Sequence, residues 1–495
     1  MTKLRRFGPM AARIATGAPV LKEADAGIRV VNRWQVNPAY LLALVPICVA
    51  LAFWGVHPGL GWDMDSLGYV QGSPARSATY HLFLALFYGP LLLPVQLLLF
   101  AAALSWLAIH SARFLPWLAC AALVFAIAAN PYVWELQATV MSESLTTPLL
   151  TLIVGCVLGF TATRNRAPLI VAALLCGVAT TARPSLLLFI VTPLCALWIG
   201  PNSADRLKIT ALIVLMWIAP IVAEKAYSRA MHGSELTSYV GRNLFMKGAI
   251  IDAPRTVLQS PDALDVRLLA AVNDVYEPVR RLTYGVRDRD VRTILVTNYE
   301  ACAGYGCFDD FLKGFRVSEA ELERHMFRIG VARIESNPAA YLELAASEYQ
   351  RMFLLHPRKH PDLAPKYNAF LAREAPIPFQ TVLGVEGQAV PPDQQKPILR
   401  FNRAAFATLG IVAALMTIAF AFWRPGPRAE AAFALLLGTE AVLLFTSFLG
   451  VGQPRYAMGM WPSFIGGLLF GLFALLELYR PLASATGAGR RITER

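Results

Sequence analysis

Charged residues are scarce in this chain: they make up only 16% of its 495 residues, whereas 56% are hydrophobic. So little charge, together with recurring apolar runs of about 20 residues that can each cross ~30 Å of hydrocarbon, excludes an ordinary soluble domain and points to a polytopic membrane protein. Other absences narrow the function. No Gly-rich phosphate loop follows a strand pattern, which argues against an ATP-driven machine. Basic residues are not interleaved with base-stacking aromatics, so the net charge of +12 makes no case for nucleic acid. No small-residue cleavage site follows a short apolar core in the first 35 residues, and Tyr40 to Trp54 therefore reads as a retained anchor. Internal repeats are missing, and so are mid-span charges other than Glu440.

The apolar runs predict an all-α fold with about ten transmembrane helices, near 38–55, 89–110, 114–130, 144–161, 167–182, 185–200, 208–224, 402–423, 430–448 and 461–479. With the N-terminus inside, the short inner segments hold a basic N-terminal cluster and then Arg113, Arg164, Arg166, Arg206, Lys208, Arg424, Arg428 and Arg480. The short outer segments hold only Arg76, Arg183 and Arg455, a bias that places both termini on the cytoplasmic side. Five parts follow: a basic segment 1–37, a seven-span core 38–224 with its first outer loop at 56–88, an extracytoplasmic domain 225–400, three last spans within 401–480, and a tail 481–495.

The outer domain is expected to be mainly helical. Ser318 with Glu321 three residues later has the capping-box form and starts a helix running to about Glu335. Asn337-Pro338 then caps a second helix that stops before His356-Pro357. Cysteine usage agrees with this division. Cys48, Cys120, Cys156, Cys176 and Cys195 lie in apolar runs, where a thiol behaves as a small hydrophobe. Cys302 and Cys307, in CAGYGC, lie in the outer domain, where a disulfide persists; two free thiols are the other reading of the pair, and no further Cys or His stands at metal-ligand spacing.

Asp63 and Asp65, in GWDMDSLGYVQG, sit in the first outer loop beside an amphipathic stretch at Tyr80-His81-Leu82-Phe83-Leu84. Alone they read equally well as solvated loop carboxylates or caps. On the same face, however, stand Glu143 before the fourth predicted span, Arg183 between the fifth and sixth, and Arg455 between the last two. Charges at several span ends on one side imply a shared polar cavity. Carboxylates with arginines around it suit a base that deprotonates a nucleophile and cations that hold a phosphate.

These residues also carry a resemblance. WDMDSLGY, with Arg76 to Tyr80 running into HLFLAL, resembles the first outer loop of the GT-C integral-membrane glycosyltransferases, a group that includes the protein O-mannosyltransferases and the aminoarabinose lipid A transferases. Their loop reads Asp-Glu followed after two residues by Tyr; Asp65, with Tyr69 four residues on, falls on the Asp, and Ser66 stands where the families have Glu. MSESL, ARPSLLLF, SNPAAYLELA and QPRYAMGMWP are similar to later segments of the group in the same order.

The resemblance implies inverting transfer of a sugar from a polyprenyl-phosphate donor to a lipid, polysaccharide or protein acceptor at the periplasmic face of a bacterial inner membrane. It implies Asp65 as the base, with Asp63 orienting the acceptor, tuning its neighbour or binding a metal. Arg183 and Arg455 become ligands of the donor phosphate, with Arg242 and Lys247 as lid contributions. Glu143, Tyr69, Arg76, Tyr80 and His81 become acceptor or substrate contacts. No cofactor is fixed by the resemblance, and metal dependence stays open: Asp63, Asp65 and Glu143 could gather a divalent cation, Mg or Mn. A flippase or transporter of a lipid-linked sugar and a non-catalytic envelope assembly protein are the competing functions.

Overall fold

The structure is a computed structural model that describes residues 38–490 other than 57–58, 62–65, 73–75, 88, 201–204, 234–239, 252–257, 259–260, 271–313, 354–379, 382–383, 386–396, 424–425 and 451–453. Asp63, Asp65, Cys302 and Cys307 lie outside the described residues, as do the basic segment 1–37 and residues 491–495 of the tail.

The described residues are overwhelmingly helical, and a helix stands at each predicted apolar run. They are α1 Pro38–Val56, α4 Leu92–Ser111, α5 Trp117–Ala128, α7 Glu143–Thr163, α8 Ala167–Ala182, a 3₁₀ helix Pro184–Ile190 continuing into α9 Val191–Ile199, α10 Arg206–His232, α15 Pro397–Phe422, α16 Pro427–Leu449 and α18 Trp461–Arg490. Among the described residues, four stretches are long and apolar enough to cross a membrane: Leu92–Ser111, Glu143–Thr163, Arg206–Met231 and Pro427–Leu449. The other predicted spans coincide with shorter apolar helices. At 1.5 Å per residue, the 12 residues of α5 rise only ~18 Å, short of the ~30 Å of a hydrocarbon core.

Helix α7 is the centre of the bundle and α10 its margin, with 89% and 11% of their most apolar windows buried. The outward surface is apolar as well. On α15, Ile411, Leu415, Ile418 and Phe422 are exposed at intervals of four, three and four, one continuous stripe of a helix. An uncovered stripe of that kind is compatible with lipid as its solvent.

Shorter helices fill the ends: α2 Ser66–Val70, α3 Ala78–Phe87, α6 Pro131–Gln137 and α17 Pro454–Gly459. A second core lies in the 225–400 region, built by α11 Val240–Ile250, α12 (263–270), α13 Glu319–Ser336 and α14 Pro338–Met352, with Phe245, Ile251, Leu268 and Ile329 among its buried side chains. Both sequence-predicted starts are present: Ser318 Oγ accepts from Glu321 N at 3.2 Å, and Asn337 Oδ1 from Ala340 N at 3.1 Å. Gly330 lets α13 reach the backbone of α11, since a Cβ there would lie 2.6 Å from Leu244 C and Phe245 N. One departure from an all-α reading is a two-residue antiparallel pair, Gln380–Thr381 with Gly384–Val385.

Candidate functional site

The N-terminal turn of α7 holds Glu143, only 2% exposed. A carboxylate is favoured at a helix N-terminus, where the macrodipole is positive, yet burial demands a partner as well. Two partners arrive from distant segments. Arg183 ion-pairs with Glu143 Oε1, and Arg455 Nε lies 3.4 Å from the same oxygen.

Local sequence explains the approach of Arg183. It precedes Pro184, which disfavours helical backbone at the residue before it. Arg183 is accordingly extended (φ −152°, ψ 104°), ending α8 before the 3₁₀ helix begins. Its guanidinium also donates to Ser185 Oγ at 3.2 Å and stacks over the Tyr456 ring at 4.1 Å. Arg455 and Tyr456 come from α17, so one short helix supplies both a cation and the ring that orients the other cation. Two guanidinium groups thus converge on one carboxylate oxygen.

A polar relay runs outward. Ser142 Oγ donates to Glu143 Oε2 at 3.2 Å, and Tyr69 OH donates to Ser142 Oγ at 3.1 Å. The Arg76 guanidinium lies 5.6 Å from the Tyr69 ring centroid, and His81 Nδ1 donates to the Tyr69 carbonyl at 2.9 Å. Tyr80 meets Tyr69 edge to face at 5.0 Å. The Ser144 hydroxyl proton goes to the Met141 carbonyl, so Tyr80 OH donates to Ser144 Oγ at 3.1 Å. Gln96 Nε2 donates to both, at 3.0 Å and 2.6 Å. Burial pushes the Tyr80 hydroxyl well above the ordinary phenol range, which keeps it a neutral donor.

Helix α3, which carries Tyr80 and His81, is fixed at its N-terminus by two helices. Ser77 Oγ donates to the Thr181 carbonyl at 2.6 Å and Thr79 Oγ1 to Thr181 Oγ1 at 2.9 Å, while Glu224 Oε1 accepts from Ala78 N at 3.0 Å as a cap supplied by α10.

The segment 56–88 is anchored on both sides of residues 62–65. Gly61 N donates to the Ala138 carbonyl at 2.8 Å, Val140 N donates back to the Gly61 carbonyl at 3.0 Å, and Ser66 Oγ donates to the Val140 carbonyl at 2.7 Å. Residues 138–140 lead directly into Ser142 and Glu143. At the far end of α2, Gly72 adopts φ +63°, and a Cβ there would press on the His81 ring at 2.9 Å.

The structure thus joins Glu143, Arg183 and Arg455 directly, and links Tyr69, Arg76, Tyr80 and His81 to them by the relay. Arg242 and Lys247 belong instead to α11. The Lys247 ammonium donates to the Ser447 carbonyl, and the Arg242 backbone N–H to Glu323 Oε2 at 3.0 Å. Sequence reasoning passed over Tyr456, Ser142, Ser144, Gln96 and Glu224. Gln96 is the one polar residue of LLPVQLLLF, and Glu224 ends an apolar run; each carried a legible signal.

Of the acids that left a divalent metal open, Glu143 alone is described. Its oxygens are engaged by Arg183, Arg455 and Ser142. A different group, Asp262, Asp265 and His325, has ligand atoms within 4.8 Å of one another. Arg328 already bridges both carboxylates, and Asp262 Oδ1 accepts from Leu264 N and Asp265 N as the cap of α12. Comparison of the chain with protein-family models, curated proteins and solved structures finds no match.

Proposed function

We propose that this chain is a multi-pass membrane glycosyltransferase of the GT-C type, with ten spans and its site on the periplasmic side of a bacterial inner membrane. Two arginines that converge on one buried carboxylate, beside a loop anchored at Gly61 and Ser66, carry this reading. The donor is a polyprenyl-phosphate-linked sugar, and the acceptor a lipid, glycan or protein.

In the proposed reaction the acceptor hydroxyl or amine attacks the anomeric carbon opposite the phosphate. The new glycosidic bond forms as the bond to the phosphate oxygen breaks, and Asp65 takes the acceptor proton. Polyprenyl phosphate departs with its negative charge held by Arg183 and Arg455. Glu143 keeps these two cations together beside the position proposed for the phosphate. Tyr69 and Tyr80, buried with their hydroxyls donating to Ser142 and Ser144, hold the loop and α3 against the Glu143 cluster.

Release of polyprenyl phosphate by purified protein in detergent with bacterial lipid extract tests the proposal. Asp65→Asn is expected to abolish release while retaining donor binding, and Arg183→Met to weaken donor binding. Equal release by wild type and Asp65→Asn would remove the base from Asp65. Lipid binding without release in any sample favours a transporter of the same lipid-linked sugar. That alternative draws on Glu440, the buried acid of α16, although Tyr349 OH already donates to its Oε2 at 2.6 Å.

A further inference from the structure

The last four carbonyls of a helix have no partner within it. In α16 they belong to Thr446, Ser447, Phe448 and Leu449, and the usual solution of a left-handed glycine is absent, because Gly450 is extended at φ −121°. Gly450 N satisfies the Thr446 carbonyl at 2.8 Å. The other three are met by side chains of the second core. The Lys247 ammonium donates to Ser447 O, the Tyr341 hydroxyl to Phe448 O, and Asn243 Nδ2 to Leu449 O at 3.1 Å. Every terminal carbonyl of α16 is therefore accounted for, three of them by α11 and α14.

Nothing in this arrangement is incidental to burial. Lys247 is 3% exposed, and an ammonium so placed is tolerable only against strong acceptors, which a helix C-terminus supplies together with the negative end of its dipole. Helix α14 also runs antiparallel along α16, with Tyr341 at Phe448 and Tyr349 at Glu440. Beyond Gly450 the chain reaches Arg455 within five residues.

We infer that Asn243, Lys247 and Tyr341 are positioning residues for Arg455: by capping α16 they fix where its C-terminus delivers the segment that pairs with Glu143. The second core is then tied, through the end of α16, to the placement of Arg455. The link from Arg455 to a donor phosphate rests on the function proposed above; the link from the caps to Arg455 does not.

Hydrogen exchange on the full-length protein in detergent tests this. Tyr341→Phe and Lys247→Met are each expected to speed exchange at residues 444–459 by roughly 10-fold or more, the loss of one buried hydrogen bond, with residues 143–163 unchanged. Lys247→Arg is expected to restore slow exchange. In the transfer assay both variants should raise KM for the lipid donor with little change in kcat. Unchanged exchange at 454–459 overturns the positioning role whatever the assay gives, and so does a uniform rise along the chain, which marks general loosening. Altered exchange without measurable transfer by the wild type sinks the enzymatic reading and leaves the positioning role standing. Asn243→Ser, the mildest change, carries the same test if a larger one prevents folding.

Discussion

Removal of the Glu143 carboxylate should be among the costliest single changes in this protein. In Glu143→Gln the amide keeps the shape but not the charge, and Arg183 and Arg455 are left facing each other. Their side chains are 11% and 15% exposed, so solvent screens the repulsion poorly. Breaking a buried pair from one side costs ~3–5 kcal/mol, because it withdraws the compensation that one partner gave the other. Arg183→Met should cost less, since Arg455 still meets Glu143. The double variant should then fall short of the sum by about 1–3 kcal/mol, the coupling expected of residues in contact. Unfolding titrations of the four proteins in mixed micelles give these differences directly. Additivity within ~0.5 kcal/mol would refute the pairing, because independent sites behave that way.

Gly330→Ala should push α13 away from α11, since the new methyl meets backbone atoms that cannot rotate aside. A loss of ~1–3 kcal/mol is expected, read as faster proteolysis within 240–352 while the apolar bundle stays intact; an unaffected cleavage rate would contradict the close crossing. Glu323 provides a pH signature. Its carboxylate accepts from Gly241 N and Arg242 N, but burial raises its pKa above the usual glutamate value. The folded state then holds its proton at a higher pH than the unfolded state. This group's stabilising contribution is full below the ordinary glutamate pKa and is lost as pH rises through the folded value. Glu323→Gln should flatten that slope in thermal unfolding measured between pH 4 and 7; an unchanged slope would place the titration elsewhere.

The apolar runs and the capping signals were legible in sequence because they are local. Ser318 and Asn337 cap the helices their own neighbours predict. The convergence of Glu143, Arg183 and Arg455 was legible only as a shared side of the chain: charges at the ends of apolar runs mark a face, not a distance. Lys247 shows the limit of that approach. As a cation near the same face it suggested a phosphate ligand, yet its ammonium meets the Ser447 carbonyl, an acceptor whose lack of a helical partner is invisible in sequence. The 3₁₀ geometry of Pro184–Ile190 was likewise hidden, because the prolines at 184 and 193 punctuate the run without specifying how the backbone turns between them.

The order in which Glu143 gains its two arginines has a consequence for biogenesis. Arg183 leaves the ribosome soon after Glu143, and the pair can close while the chain is still being made. Arg455 arrives only with the final helices. Until then the nascent bundle holds Glu143 with one of its two arginines, and chains truncated before residue 455 never gain the second. Completion of synthesis and completion of this three-membered cluster therefore coincide, so that an unfinished chain holds Glu143 by the first of these two arginines alone.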